Sequence, residues 1–157
     1  GCILVTLLAE MPNARGLGVD ISEAACLQAS ANAVLHRVDA RTEIRQSDWF
    51  AAVEGTFDLI AANPPYLAQN EMEGVAPELR EHEPRLALTD EGDGLSAYRL
   101  IAAQAGQYLN PNGRVMVELG WQQGRDVRAI FEQNGWVGIE VMPDLDGRDR
   151  VLRVESP

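Results

Sequence analysis

The sequence is poor in positive charge, and this shortage bears on the kind of partner it can have. Its 13 basic residues are outnumbered by 24 acidic residues, which gives a net charge of −11. Nucleic-acid binding depends on basic side chains that neutralise phosphates, so no direct nucleic-acid binding is expected. The same charge favours a basic protein partner through long-range attraction, although acidity can also serve solubility alone.

Cysteine, histidine and long apolar runs are also scarce. Cys2 and Cys26 show no metal-ligand spacing and lie in helix-like patterns, so we expect buried structural thiols in a reducing compartment. His36 and His82 have no partner spacing for a metal or a nucleophile, and no metal site is expected. No signal peptide or run of membrane-spanning length is recognisable, and we expect a cytoplasmic protein without membrane contact.

The 157 residues suffice for one domain with a sizeable core. Apolar periodicity and turn residues predict helices at 1–10, 22–35, 95–109 and 124–134, and strands at 15–20, 43–46, 57–62, 114–119, 136–142 and 150–155. This alternation predicts an α/β fold with a mostly parallel sheet. The last two strands are joined by a turn, which predicts a C-terminal antiparallel hairpin.

The most unusual stretch is Asn63-Pro64-Pro65-Tyr66, which directly follows the apolar segment 57–62. The prolines fix φ and remove two backbone donors, and Pro64 moves Asn63 out of the helical region. We therefore predict a stiff corner at the carboxyl end of a buried strand, where open α/β sheets bind ligands. Asn and Pro are common in ordinary turns, but the four residues in this context indicate a functional site.

This corner suits the chemistry of a planar NH2 group, whose delocalised lone pair makes it a poor nucleophile. The side-chain oxygen of Asn63 and the main-chain oxygen of Pro64 can each accept one N–H, and Tyr66 can pack on the planar group. The nitrogen then faces an electrophile such as a sulfonium methyl, and alignment lowers the barrier without a strong base. Asn63, Pro64 and Tyr66 are the candidate catalytic residues, and together with Pro65 they form the candidate acceptor site.

The tetrapeptide resembles the signature of methyltransferases that modify planar amino nitrogens with S-adenosylmethionine. More narrowly, the chain resembles the HemK/PrmC family of protein glutamine N5-methyltransferases, which act on peptide-chain release factors. Three further stretches carry the resemblance over nearly the whole chain: Gln46-Ser47-Asp48-Trp49-Phe50, Glu83-Pro84-Arg85-Leu86-Ala87-Leu88 and Gly120-Trp121-Gln122-Gln123-Gly124. The resemblance implies the class I methyltransferase fold, a Rossmann-like three-layer sandwich. It also implies S-adenosylmethionine as cofactor, S-adenosylhomocysteine as product and a release factor as partner.

The resemblance also implies a set of cofactor-binding residues. Asp20 accepts the two ribose hydroxyls, as the two oxygens of a carboxylate can. Asp48 and Trp49 lie beside the adenine, Asn63 borders the cofactor, and Gly1 is the last glycine of a loop around its carboxylate end.

Two of these roles have a structural alternative. Asp20 can cap the next helix, although Ser22 is better placed for that. Trp49 can close the core together with Phe50.

The resemblance implies parts that would precede Gly1. These are a first strand with a glycine-rich loop and a helical N-terminal domain. We therefore expect residues 1–157 to form a single catalytic domain whose first strand and glycine-rich loop are truncated. The alternative from another class of function is a folded, cofactor-free and inactive fragment that acts only as a binding scaffold.

Residues 67–94 are polar and acidic, with Gly and Pro scattered through them. Such a long segment is typical of a lid or binding loop, here over the acceptor glutamine, although a solvated loop with short helical turns is the alternative. Two other acceptors stay open: an adenine N6 amino group in nucleic acid, which the net charge disfavours, and a glutamine in a ribosomal protein.

Overall fold

A computed structural model describes residues 1–156 of the chain. These residues divide into two compact units, the first comprising Gly1–Gly55 and the second beginning at Thr56. Of the helices in the described residues, none is both long and apolar enough to cross a membrane.

The first unit alternates helices and strands in the order expected from the sequence. Its elements are α1 (Cys2–Glu10), β1 (Gly16–Asp20), α2 (Glu23–Leu35) and β2 (Thr42–Gln46), with a 3-10 turn (Asp39–Arg41) before β2. The two strands are parallel, and Asp20 lies opposite Gln46 at their carboxyl ends. As predicted, Ser22 caps α2: its hydroxyl accepts a hydrogen bond from the N–H of Ala25 at 3.3 Å.

The core of the first unit forms between α1 and the elements that follow it. Its buried members are Val5, Leu8, Ala33 and Val38. Arg41 closes the end of α1, because its guanidinium donates to the carbonyl oxygen of Leu8 at 2.6 Å. A carbonyl in the last turn of a helix has no intrahelical donor, so this bond stabilises the helix end.

The two cysteines differ in burial. Cys26 is buried in α2, as expected, whereas Cys2 is exposed, so the expectation of a buried thiol was wrong for Cys2. Cys2 lies in the first turn of α1, outside the stripe of Val5 and Leu8 that faces the core. Its apolar neighbours in sequence gave the correct helix but not the correct face.

The elements of the second unit are β3 (Phe57–Ala62), α3 (Pro77–His82), α4 (Ser96–Gln104), β4 (Leu109–Glu118), α5 (Gly124–Gln133), β5 (Val137–Pro143) and β6 (Asp149–Glu155). The strands form a four-stranded sheet with the order β3-β4-β6-β5. Strands β3 and β4 are parallel, and β6 is antiparallel to both β4 and β5. The predicted C-terminal antiparallel hairpin is therefore confirmed.

One boundary in the second unit differs from the prediction. The predicted helix 95–109 ends early: α4 stops at Gln104, a 3-10 turn covers Ala105–Tyr108, and β4 begins at Leu109. Leu109 pairs with Phe57 of β3, which holds the backbone extended five residues before the predicted strand start. Residues 110–113 still turn as their sequence indicates, because they bulge out of the pairing: Phe57 pairs with Leu109 but Leu59 pairs with Arg114, and Asn112 has a φ of +66°.

Candidate functional site

The corner Asn63-Pro64-Pro65-Tyr66 follows β3 directly and has no regular secondary structure. Ala62 lies opposite Val117 in the parallel pair of β3 and β4, so the corner is at the carboxyl edge of that pair. Pro64 is buried, Pro65 and Tyr66 are half-buried, and Asn63 is exposed. The Asn63 side chain makes no hydrogen bond within the described residues, which leaves its amide available to a ligand.

The hydroxyl of Tyr66 lies beside Glu118, the last residue of β4, and Arg150 of β6. Burial raises the pKa of the Tyr66 phenol, the negative charge of Glu118 raises it further, and Arg150 opposes part of this effect. The phenol is therefore neutral at neutral pH and keeps its proton for hydrogen bonding. Sequence reasoning gave Glu118 no role, although an acid at the end of a buried strand was the signal that could have found it.

Gln123 is a second residue of this site whose role the sequence did not reveal. Its side-chain Nε2 donates to the carbonyl oxygen of Tyr66 at 2.8 Å. The only signal in the sequence was its place between two glycines, Gly120 and Gly124, in one of the stretches that carry the resemblance. Nothing in that pattern indicates a partner so distant in sequence.

The segment 67–94 is folded back on itself. The N–H of Leu67 donates to Leu88 O at 3.0 Å, and the N–H of Gln69 donates to Gly92 O at 2.9 Å. Between these contacts lie a 3-10 helix (Gln69–Gly74), α3 and a second 3-10 turn (Arg85–Ala87). The segment is thus a structured loop with short helical turns. It borders an open cleft of about 850 Å³ lined by Ala68, Gln69, Asn70, Met72, Glu73, Arg80, Arg85, Gly92 and Asp93.

The second half of this segment is organised around the carboxylate of Asp90. Its Oδ1 accepts from the N–H groups of Gly92 and Gly94 at 2.9 Å, and its Oδ2 accepts from the N–H of Ser96 at 3.0 Å. Partial burial alone raises the pKa of Asp90, but hydrogen bonds from the side chain and backbone of Ser96 and from the two glycines lower it to about 2. In its ionised form, the carboxylate of Asp90 therefore fixes this half of the segment.

We predict that Asp90→Asn weakens the pH dependence of folding at acidic pH. The pKa of Asp90 is about 2 in the folded protein against 3.8 when unperturbed, so the unfolded chain binds more protons between these values. The stabilisation from Asp90, about 2 kcal/mol, is complete above about pH 5 and is lost as the pH falls towards 2. Urea unfolding from pH 2 to 7 should give a shallower rise for the variant; parallel curves for the two proteins would contradict this role.

Apart from the half-buried Asp90, the acidic residues of segment 67–94 fall into two groups. Glu91 pairs with Arg85 and Asp93 pairs with Arg99, so these charges are satisfied within the unit. The others are exposed and form no ion pair within residues 1–156: Glu71, Glu73, Glu78, Glu81 and Glu83. The segment therefore carries fewer unpaired negative charges than its number of acidic residues indicates.

In the first unit, the structure brings Asp20, Asp48 and Trp49 to one edge. Asp20 ends β1, and Asp48 follows Ser47 just beyond the end of β2. The N–H of Ser47 donates to the carbonyl oxygen of Asp20 at 2.9 Å. Trp49 is half-buried with a φ of +49°, and the hydroxyl of Ser47 donates to its carbonyl oxygen at 2.9 Å.

The carboxylate of Asp20 is exposed, and its Oδ1 accepts from the N–H of Ser22 at 2.9 Å. Its Oδ2 has no partner among the described residues, so the group keeps acceptor capacity for a diol. Gly1 is exposed at the start of α1, and a Cβ at this position would lie 2.7 Å from the Cβ of Ala29. Packing of α1 against α2 is thus a structural reason for this glycine.

Within the described part of the chain, no group of three or more His, Cys, Asp and Glu side chains is arranged to hold a metal ion.

Comparison with known proteins gives matches over the whole chain. The chain is 52% identical to a release factor glutamine methyltransferase of Cereibacter sphaeroides over 157 residues, which are 100% of this chain and 56% of that protein. It is 44% identical to a protein of the same name from Agrobacterium fabrum, over 97% of this chain and 53% of that protein. The chain therefore spans about half the length of these relatives.

Solved structures show the same fold at low sequence identity. The match to a methyltransferase from Pyrococcus furiosus covers 99% of this chain and 69% of that protein's chain, with a TM-score of 0.71 and 16% identity. The match to an RNA methyltransferase from Salinibacter ruber, in complex with S-adenosyl-L-homocysteine, covers 100% of this chain and 74% of that protein's chain, with a TM-score of 0.61 and 20% identity. These matches confirm the class I methyltransferase fold expected from the sequence.

A comparison with models of protein families also gives a match. The model of the methyltransferase small domain matches residues 1–95, which include the corner after β3. The chain belongs to the methyltransferase small domain family.

Proposed function

We propose that the protein transfers a methyl group from S-adenosylmethionine to the side-chain amide nitrogen of a glutamine in peptide-chain release factors. The observation that carries the proposal is the exposed and unbonded side chain of Asn63 on a corner anchored by the buried Pro64. The names of the relatives from Cereibacter sphaeroides and Agrobacterium fabrum support the acceptor.

At this corner the chain's own groups orient the acceptor. The Oδ1 atom of Asn63 and the carbonyl oxygen of Pro64 each accept one N–H of the glutamine amide, which directs the face of the nitrogen towards the methyl group. Tyr66 packs on the planar amide, and its neutral phenol adds no charge there. Transfer would break the bond between the sulfonium sulfur and the methyl carbon as the N–C bond forms, leave neutral S-adenosylhomocysteine and release one amide proton to solvent. No strong base is needed when alignment supplies most of the acceleration.

The residues proposed for the cofactor fit a nucleoside. Asp20 has an exposed carboxylate with a free oxygen for the ribose hydroxyls, and Asp48 and Trp49 flank the same edge for the adenine. Gly1 and Asn63 complete the proposed set. When bound, S-adenosylmethionine supplies a methyl group on a positively charged sulfur, and the protein has only to align it.

Charge supports a basic protein as the partner. The net charge is −11, and Glu78, Glu81 and Glu83 are exposed in segment 67–94 without ion pairs in the described structure. Negative charge of this kind steers a basic partner towards the corner and repels nucleic-acid phosphates. We also propose that residues 1–157 act as one catalytic domain in the cytoplasm; the match of the family model to residues 1–95, on both sides of Gly55, supports this.

The test is mass spectrometry of acceptors after incubation of the intact protein with S-adenosylmethionine that carries a labelled methyl group. Three acceptors are compared: a release factor, ribosomal proteins and an adenine-containing oligonucleotide. We expect one label on a glutamine of the release factor alone. Label on either other acceptor would replace the proposed substrate, and no label on any together with no cofactor binding would favour a scaffold without activity.

We predict that Asp20→Ala weakens binding of S-adenosylhomocysteine by about 10- to 100-fold, because hydrogen bonds between a carboxylate and two hydroxyls are lost. Calorimetric titration measures this change. The matched control is Ser22→Ala, which removes the cap of α2 and should cost about 1 kcal/mol of stability without a large change in cofactor affinity. If Asp20→Ala behaves like Ser22→Ala, Asp20 serves the helix start and not the ribose.

A further inference from the structure

The side chain of Gln123 connects parts of the second unit that are far apart in sequence. Its Nε2 donates to the carbonyl oxygen of Tyr66 at 2.8 Å and lies 3.5 Å from that of Gly94. Its Oε1 accepts from the N–H of Gly120 at 3.0 Å and lies 3.4 Å from the hydroxyl oxygen of Tyr98, which donates its proton to the carbonyl oxygen of Glu118 at 3.0 Å. Reversing the amide would place its oxygen against two carbonyls, so the environment allows only one orientation.

A role in the start of helix α5 does not explain these contacts. Gln123 is the residue before α5, but its side chain makes no capping bond to that helix. Gly120 makes room for it, because a Cβ at residue 120 would lie 2.9 Å from Gln123 Oε1. The side chain is thus directed towards the corner after β3 and the end of segment 67–94.

The two partners of Gln123 Nε2, Tyr66 and Gly94, lie at the two ends of segment 67–94, and we call their contact the neck of the segment. Gly94 has a φ of +74°, and a Cβ at this residue would lie 2.3 Å from the carbonyl oxygen of Tyr66 and 3.0 Å from the N atom of Ala68. The backbone on either side of the segment is therefore in direct contact. Gln123 binds both sides of this neck with one NH2 group.

We propose that Gln123 is a positioning residue for the transfer reaction. By binding the carbonyl oxygens of Tyr66 and Gly94, it keeps the neck closed and so fixes the corner Asn63-Pro64 and segment 67–94 in one arrangement. This inference rests on the methyl transfer proposed above. Gln123 reaches the acceptor only through Tyr66 and the neck. Its loss therefore acts on the alignment of the acceptor and leaves the cofactor residues of the first unit unchanged.

Two substitutions separate the donor half of the amide from the acceptor half. Gln123→Glu keeps an oxygen for Gly120 N–H and Tyr98 but sets a second oxygen against the Tyr66 carbonyl. Gln123→Lys keeps a donor for the Tyr66 and Gly94 carbonyls and loses the acceptor. If holding the neck is what matters, the Lys variant retains more activity than the Glu variant; a role limited to Gly120 and Tyr98 predicts the reverse order.

The experiment measures kcat and KM for the release factor and the affinity for S-adenosylhomocysteine in both variants of the intact protein. We expect kcat of Gln123→Glu to fall about 10- to 100-fold, as small misplacements of a reactant do, with cofactor affinity changed less than about twofold. Gln122 is exposed and adjacent, so Gln122→Glu and Gln122→Lys control for the added charge and should change kcat less than about twofold. Equal activities of the two Gln123 variants, or a Glu variant more active than the Lys variant, overturn the inference.

Hydrogen exchange gives a second readout that does not depend on activity. The amides of Leu67 and Gln69, bonded to Leu88 O and Gly92 O, report whether the neck is closed. We expect both to exchange faster in Gln123→Glu than in Gln123→Lys, and unchanged exchange in both variants overturns the inference. Failure of the wild-type protein to methylate a release factor would refute the proposed function alone, because the exchange measurement still decides the role of Gln123.

Discussion

Replacing Asn63 by alanine is expected to lower the rate of methyl transfer strongly while cofactor binding stays largely intact, because the other proposed cofactor residues are unchanged. The variant loses one of the two oxygens proposed to orient the acceptor amide, and removal of one such oriented partner costs about 100- to 1,000-fold in rate. Folding should be unaffected, because the Asn63 side chain is exposed and makes no hydrogen bond in residues 1–156. The measurements are kcat with a release factor, the dissociation constant of S-adenosylhomocysteine and the melting temperature.

Asn13→Ala is the matched control, since Asn13 is also an exposed asparagine in a turn and lies outside the corner. Its activity should stay within about twofold of wild type, as expected for a surface substitution away from special features. Unchanged turnover in Asn63→Ala would defeat the proposed role of this residue. A melting temperature that falls together with the activity would instead assign Asn63 to the fold.

Gly94→Ala is expected to have the largest effect on stability. The new Cβ lies 2.3 Å from the carbonyl oxygen of Tyr66, and the backbone of residue 94 has a φ of +74° that side chains disfavour. The conformational penalty and the steric overlap together cost roughly 2–4 kcal/mol. For a chain of this length the melting temperature should fall by about 4–15 °C.

The chain offers a close control for this change. Gly74 lies in the same segment, is exposed, and would have nothing within 4 Å of an added Cβ. Gly74→Ala should therefore change the free energy of unfolding by less than about 0.5 kcal/mol. Equal effects of the two substitutions would show that the contact between Gly94 and Tyr66 does not hold the segment.

The corner after β3 could be predicted from sequence because its geometry is local. Two prolines restrict their own φ and that of Asn63, and the apolar run before them sets the strand. Ser22 was predictable for the same reason, since an N-cap depends on residues three positions apart. Both features are present in the structure where local rules put them.

The start of β4 could not be predicted because a distant strand decides it. The predicted turn Asn110-Pro111-Asn112-Gly113 is present as a bulge, since Phe57 pairs with Leu109 and Leu59 with Arg114, but the pairing that starts β4 at Leu109 was not predicted. The side chain of Asn110 also donates to Asp58 Oδ1 at 2.8 Å, a contact with β3. Interactions across this separation leave no periodic signal in the sequence.

The network around the corner was invisible for a related reason. Gln123 binds the carbonyl oxygen of Tyr66, and Glu118 faces the Tyr66 phenol, although both are more than fifty residues away along the chain. In the sequence Asp90 is one of several acids in a negative loop, whereas in the structure it accepts hydrogen bonds from three backbone N–H groups. Residue type indicated polarity, but only the folded chain shows which polar groups meet.

The contact between Gly94 and Tyr66 joins the two ends of segment 67–94, so the length of this segment can change without moving the residues on either side of it. An insertion or deletion at the exposed Gly74 should therefore not displace Asn63. Loop-closure entropy grows only with the logarithm of length, so such changes carry a small thermodynamic penalty. On the function proposed above, exchanging this segment between relatives should change which polypeptide is bound while the corner Asn63-Pro64 stays in place.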